Sequence, residues 1–294
     1  MLLGIPNKML ESMPFKDRSV PARRNRTTAL KFLAILVISF AVSLAASAQS
    51  ARESVVTIVA QIQRADYEGD RPALKRLYGE LAPFADNQEL ASRVRYWRGF
   101  ALWRRAINAS NDSVDPKEIE ADLKAAVEEF NASAAKDPAF VDAKIGALGC
   151  LGFIMYLNQK DSARLQELAA QVGPLIKEAK DADPDNPRLL WVLSPMVWNS
   201  PPERGGGQDK AIESALKGLE VARKRKIASS NPLDPSWGEP ELLMGLAWDN
   251  LHRTTPDLNA ADQYAHSALA QVPYWHYVRD ILVPQIRDAR NKAN

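Results

Sequence analysis

The sequence predicts an all-α protein. After Arg52, apolar residues recur at three- and four-residue spacing in segments rich in Ala, Leu and Glu. No stretch sustains the period-two alternation of β-branched residues that half-buried strands need. Turn-forming residues punctuate the pattern at Gly69-Asp70, Asp86-Asn87, Asn108 to Asp115, Asp137-Pro138, Gln159-Lys160, Asp183 to Pro187, Pro201 to Gly207, Ser229 to Ser236, Arg253 to Pro256 and Val272-Pro273. These breaks delimit about eleven helices.

Ahead of them, residues 1 to 28 carry Lys8, Lys16, Arg18, Arg23, Arg24 and Arg26 against Glu11 and Asp17, and an apolar run from Phe32 to Leu44 follows. That order reads as a secretory signal peptide. Small residues in Ala46-Ser47-Ala48 place the cut between Ala48 and Gln49, so 1–48 is the signal and 49–294 the mature domain. Met9 or Met13 would serve equally as a start. Counted back to Ala29, the apolar segment approaches the length of a membrane span, so an uncleaved anchor is the alternative, and the only one that brings in a membrane. The expected location is periplasmic or secreted.

Within the mature domain, Asp115-Pro116-Lys117-Glu118 sets an acceptor, a proline and a glutamate where a helix start uses them, and Ser236 with Glu239 repeats that order. Gly173-Pro174 should kink or split a helix spanning Ser162 to Ala182, and Pro195 should bend or end the helix after Pro187. The last helix is expected over 275 to 290.

Removing the leader takes away seven basic and two acidic residues, which turns the formal +2 of the whole chain into about −3. The basic balance therefore gives no argument for a nucleic-acid partner. Arg223-Lys224-Arg225-Lys226 reads as a solvated helix end, where positive charge meets the negative end of the dipole. Cys150, the single cysteine, cannot form an intramolecular disulfide and lies in the apolar run Ile145 to Leu157, so it reads as a core residue.

The second helices of several pairs resemble helix B of the tetratricopeptide repeat (TPR). Ala126, Phe130 and Pro138 stand at its spacing, with Ser133 in place of the second alanine, and Ala261, Ala265, Ala268 and Pro273 match it again. Met244, Gly245 and Trp248 resemble the first helix of such a pair, where glycine lets the two helices approach. Pro138 and Pro184 lie 46 residues apart, longer than the usual repeat of about 34, so the units are irregular. The resemblance implies a solenoid of helical hairpins that binds a protein or peptide in its groove. The run from Asn186-Pro187-Arg188 into Gly205-Gly206-Gly207 also resembles exported bacterial TPR-like proteins, including the periplasmic T component of TRAP-type transporters. That likeness implies an accessory of solute uptake, with a small ligand near the glycine loop.

The candidate binding residues follow. Gly205, Gly206 and Gly207 precede a helix N-terminus, where free amides can hold an anion; alternatively they let the chain turn sharply and pack the helix from 208 to 224. Trp191, Trp198, Asn199 and Arg204 surround that loop as a groove lining, or as packing between repeats. Trp275, His276 and Tyr277 belong to the densest aromatic cluster, which either caps the end of the helices or meets a partner. Arg279 and Asp280 are expected to point apart.

No nucleophile elbow, P-loop or zinc pattern appears, and the three histidines have no i, i+4 pairing. Glu239 with Glu241, or Asp257 with Asp262, would be the carboxylates of a helical hydrolase, and they read more simply as caps. The expected function is a non-enzymatic scaffold with no cofactor and no metal.

Overall fold

In the computed structural model, residues 49–226 and 231–293 are described, and residues 1–48, where a signal peptide is expected, lie outside them. The fold is that of the unit Ala51–Asn294. It is all-α. Helix α1 runs to residue 68 and is followed by α2 (Arg71–Glu80), α3 (Ala91–Asn111), α4 (Pro116–Lys136), α5 (Val141–Leu157), α6 (Ser162–Ala182), α7 (Pro187–Asn199), α8 (Gln208–Lys226), α9 (Glu239–His252), α10 (Leu258–Gln271) and α11 (Val283–Ala293). No strand occurs among the described residues, and no helix among them is long and apolar enough to cross a membrane.

Side-chain acceptors fix many of the helix starts. Asp70, Asp115, Asp161, Asn186 and Asp257 each take a backbone N–H from the first turn of α2, α4, α6, α7 and α10. Each such cap is worth about 1 kcal/mol, because it satisfies a donor that the helix cannot. The start of α9 departs from expectation. Its N-cap is Gly238, at φ 137°, and the Glu241 carboxylate reaches back to the Gly238 N–H, whereas Ser236 hydrogen-bonds Gln63 instead.

Neither internal proline ends its helix. α6 continues through Pro174 and α7 through Pro195. The C-terminal helix is not uniform: Tyr277–Leu282 is a π-helical turn leading into α11. Pro284 follows it and has no N–H to return to the Asp280 carbonyl, which favours the wider turn.

Consecutive helices pack on one another from α2 through α6 and again from α7 through α10, and α3, α5, α7 and α9 also touch one another in succession. Small residues allow the approach. A Cβ on Gly99 would stand 3.1 Å from the Ala126 carbonyl and the Phe130 ring, so α3 lies directly on α4. Ser133, in the place of an alanine, is fully buried and gives its hydroxyl to the Ser92 carbonyl at 2.7 Å, while Ser92 returns a bond to Ser133. On α10, Ala261, Ala265 and Ala268 are all fully buried. Gly245 corrects an expectation: it faces Trp191 of α7 at 3.7 Å, the preceding hairpin, and not its own partner α10. Cys150 is fully buried in the main core, where burial pushes its thiol well up.

Candidate functional site: an aromatic cleft filled by the chain itself

α3 presents Tyr96, Trp97, Phe100 and Trp103 on the side facing α5 and α7. The close approach of α5 depends on Gly146 and Gly149, where added methyls would meet the Phe130 ring at 2.4 Å and the Trp103 ring at 2.3 Å. α7 adds Arg188 and Trp191. Into this cleft comes the segment Asn231–Gly238, which the sequence marks only as a break. Leu233, Pro235 and Trp237 are buried, whereas Pro232 and Ser236 are exposed. The segment opens on a turn, in which Asp234 N–H donates to the Asn231 carbonyl at 3.0 Å, and then runs on to Gly238 with Leu233, Pro235 and Trp237 turned inward.

Trp237 is the anchor. Its indole N–H donates to the Tyr96 hydroxyl at 2.7 Å, and its ring centroid lies 5.7 to 5.8 Å from those of Phe100, Trp103 and Trp191. The segment's carbonyls are received by side chains. Trp97 Nε1 donates to Leu233 O at 2.8 Å, and Arg188 Nη1 donates to both Pro235 O and Trp237 O at 3.2 Å. Asp142 holds Arg188 in that position by a two-point ion pair at 2.6 and 3.0 Å. At the other end Arg93 pairs with Asp234 and Asp137, and Arg52 donates to Asn231.

Beside the cleft lies a buried charged network. Arg104 donates to Asp66 at 2.7 Å, Asn108 also reaches Asp66, and Tyr67 donates to Glu241 at 2.8 Å. Arg104, Asp66 and Glu241 are all essentially buried. Burial pushes both carboxyls up from their ordinary values, against the pull of Arg104 on each. Asp66 takes the guanidinium directly, whereas Glu241 feels its charge without bonding to it. The network joins α1, α3 and α9, so it fixes the cleft rather than presenting a group to a substrate.

The sequence candidates fall into three places. Trp191 belongs to this cleft, 6.0 Å from Trp103. Trp198 lies two turns further along α7, half-buried, with its ring edge against Trp248, which in turn stacks on His252 at 4.2 Å. Asn199 and Arg204 are exposed beside it, and Asn199 donates to the Pro195 carbonyl. The three glycine amides are all used within the chain: Gly205 N–H goes to Pro202, Gly206 to Pro201 and Gly207 to Val197. A methyl on Gly206 would strike the Ser200 Cβ at 2.3 Å, and Gly205 and Gly207 adopt positive φ. The loop is built for a tight turn into α8.

The aromatic block at the C-terminus folds back on α1. Trp275 is buried edge-on to Tyr67 at 5.0 Å, and His276 lies over Gly69 while its Nδ1 meets Asp280 at 2.8 Å. Tyr277 is half-buried, and burial raises its phenol. Arg279 and Asp280 form a two-point ion pair at 2.7 and 2.8 Å, contrary to the expectation that they point apart. The flexible arginine stem curls back along the π-helical turn, which ideal helix spacing does not anticipate.

Among the carboxylates, Glu239 pairs with Arg223, Asp257 caps α10, and Asp262 faces His266 and Arg290. No cluster of three His, Cys, Asp or Glu side chains suited to a metal occurs among the described residues. No family model, curated protein or solved structure matches this chain.

The segment, Arg188 and Tyr96 escaped the sequence reading. Their one signal is the alternation Leu233, Pro235, Trp237 inside a run otherwise typical of a turn.

Proposed function

We propose that the chain is an exported, non-enzymatic, TPR-like scaffold, its leader removed between Ala48 and Gln49, which binds a protein or peptide on the face formed by α3, α5 and α7. One observation supports the reading above the others. That face holds a segment of chain through helix-borne donors to main-chain carbonyls and a pocket for one large aromatic ring. Such contacts recognise polypeptide. They offer no nucleophile and no paired acid and base near a substrate space. The reading of solute uptake has less behind it, because the amides it would use at Gly205, Gly206 and Gly207 are bonded internally.

Quantitative crosslinking capture from native cell envelope tests this, with the tagged mature chain against a Trp198→Ala/Arg204→Ala double variant. One saturable protein partner, weakened in the variant, is the expected result. A melting temperature raised by a small anion, with no protein captured, would replace the scaffold by the uptake accessory.

A further inference from the structure

We infer that the cleft between α3, α5 and α7 is a peptide site in a self-occupied state, and that its partner presents a segment of the pattern apolar-Asp-Pro-x-Trp. This rests on the scaffold reading and sharpens it.

The segment Leu233–Trp237 is seated as a guest would be. Its carbonyls at 233, 235 and 237 are received by Trp97 and Arg188 side chains, not by a backbone ladder. Pro232 and Pro235 have no N–H, so the segment asks the cleft mainly for donors, which is what the helices supply. Ordinary loops run over the surface. This one drives Leu233 and Trp237 to 1 and 4 % exposure while Pro232 and Ser236 remain outside.

Selectivity follows from three contacts. The pocket of Tyr96, Trp103 and Trp191 suits an indole whose N–H reaches the Tyr96 hydroxyl. Arg93 suits an acidic residue three places earlier. Beyond Leu233 the cleft opens into a cavity of about 360 Å³ bordered by Arg52, Gln88, Ser92 and Lys136, which leaves room for residues ahead of the partner's apolar position. A partner segment making the same contacts, and adding others in that cavity, displaces the chain's own copy. Self-occupancy then acts as a competitor at fixed high effective concentration, which weakens every external ligand by the same factor.

A fluorescent peptide copying Asn231–Gly238, added to the mature chain, reads this directly by anisotropy. The Trp237→Ala variant should bind it saturably and at least tenfold more tightly than the wild type, and a peptide with alanine in place of tryptophan should not bind. A Trp237→Ala chain that keeps its helical circular dichroism and a cooperative melt but does not bind overturns the inference. So does equal affinity in wild type and variant. If Trp237→Ala does not fold, Asp234→Ala, which removes the half-exposed acceptor of Arg93 and of the Asn231 amide, should raise peptide affinity about threefold, and no gain overturns the inference. A protein partner captured equally by wild type and Asp234→Ala, with no peptide binding, refutes self-occupancy and leaves the scaffold standing. Loss of both removes both.

Discussion

Asp249 on α9 is a carboxyl with nothing to balance it. It is 4 % exposed, its Oδ2 has no hydrogen-bond partner, and Arg253 one turn on gives its guanidinium to Asp209. Burial alone raises it from 3.8 to about 7. Since the unfolded chain ionises near 3.8, the folded state binds this proton more tightly. The resulting stability is complete below about pH 4 and is lost as pH rises toward 7. A displacement of about three pKa steps corresponds to about 4 kcal/mol at most. Asp249→Asn removes the ionisation while keeping the shape. Its own offset, from new amide donors, is independent of pH, so the informative quantity is how the gap between the two proteins changes. From pH 5 to pH 8 that gap should move in favour of the variant by about 2.5 kcal/mol, or roughly 5 to 10 °C in Tm for a domain of this size. Thermal melts of both proteins at each pH measure it. Asp66 and Glu241 titrate identically in both and cancel. A gap that stays constant, or moves toward the wild type as pH rises, would refute the assignment of a protonated, unpaired Asp249.

Gly149→Ala should destabilise the chain by about 1 to 3 kcal/mol or more, because the new methyl would lie 2.3 Å from the Trp103 ring that lines the cleft; Gly152→Ala, with nothing near it, is the control in the same chemical melts. Trp191→Ala should cost about 3 kcal/mol or more, since its ring is wedged between Trp103 and Trp237. Trp198→Ala should cost about 1 kcal/mol, the scale of one edge-on contact with Trp248 at a half-buried position. Equal losses from the two would place Trp198 in the core.

What the sequence makes legible is whatever is written locally. Asp115 with Pro116 announces α4, and Asn186 with Pro187 announces α7, because a cap and the helix it starts are neighbours in the chain. Ala261, Ala265 and Ala268 announce a buried helix face by spacing alone. The cleft is different. Trp97 meets Leu233 across 136 positions and Tyr96 meets Trp237 across 141, and no periodicity joins them. Two prolines and a glycine around Trp237 read as a break, and a turn is there at Asn231–Asp234, but the buried residues that follow are held by distant side chains that no local pattern announces. Glu241 reads as a first-turn acid, and it is one, yet it also accepts from Tyr67, which comes from α1. Pro174 reads as a kink or a split and Pro195 as a bend or an end, and both helices continue through their proline because flanking turns and packing outweigh one missing donor each.

Trp191 and Trp198 lie seven residues apart, so they project from nearly the same side of α7, separated by about 10 Å along its axis. Arg188 precedes Trp191 by three residues and lies on the same side. One helix face therefore carries the carbonyl donor, the wall of the indole pocket and the half-exposed Trp198 in a line. At one end Trp237 fills the space beside it; at the other, Trp198 rests on Trp248 near exposed Asn199 and Arg204. Under the proposed function a partner longer than the resident segment follows this face outward, so a double substitution at Trp198 and Arg204 tests the open end of the face and the peptide tests the filled end. The two experiments separate the ends. A partner that needs Trp198 and Arg204 but ignores Asp234 engages only the open end, whereas one that competes with the Asn231–Gly238 peptide must also displace Trp237.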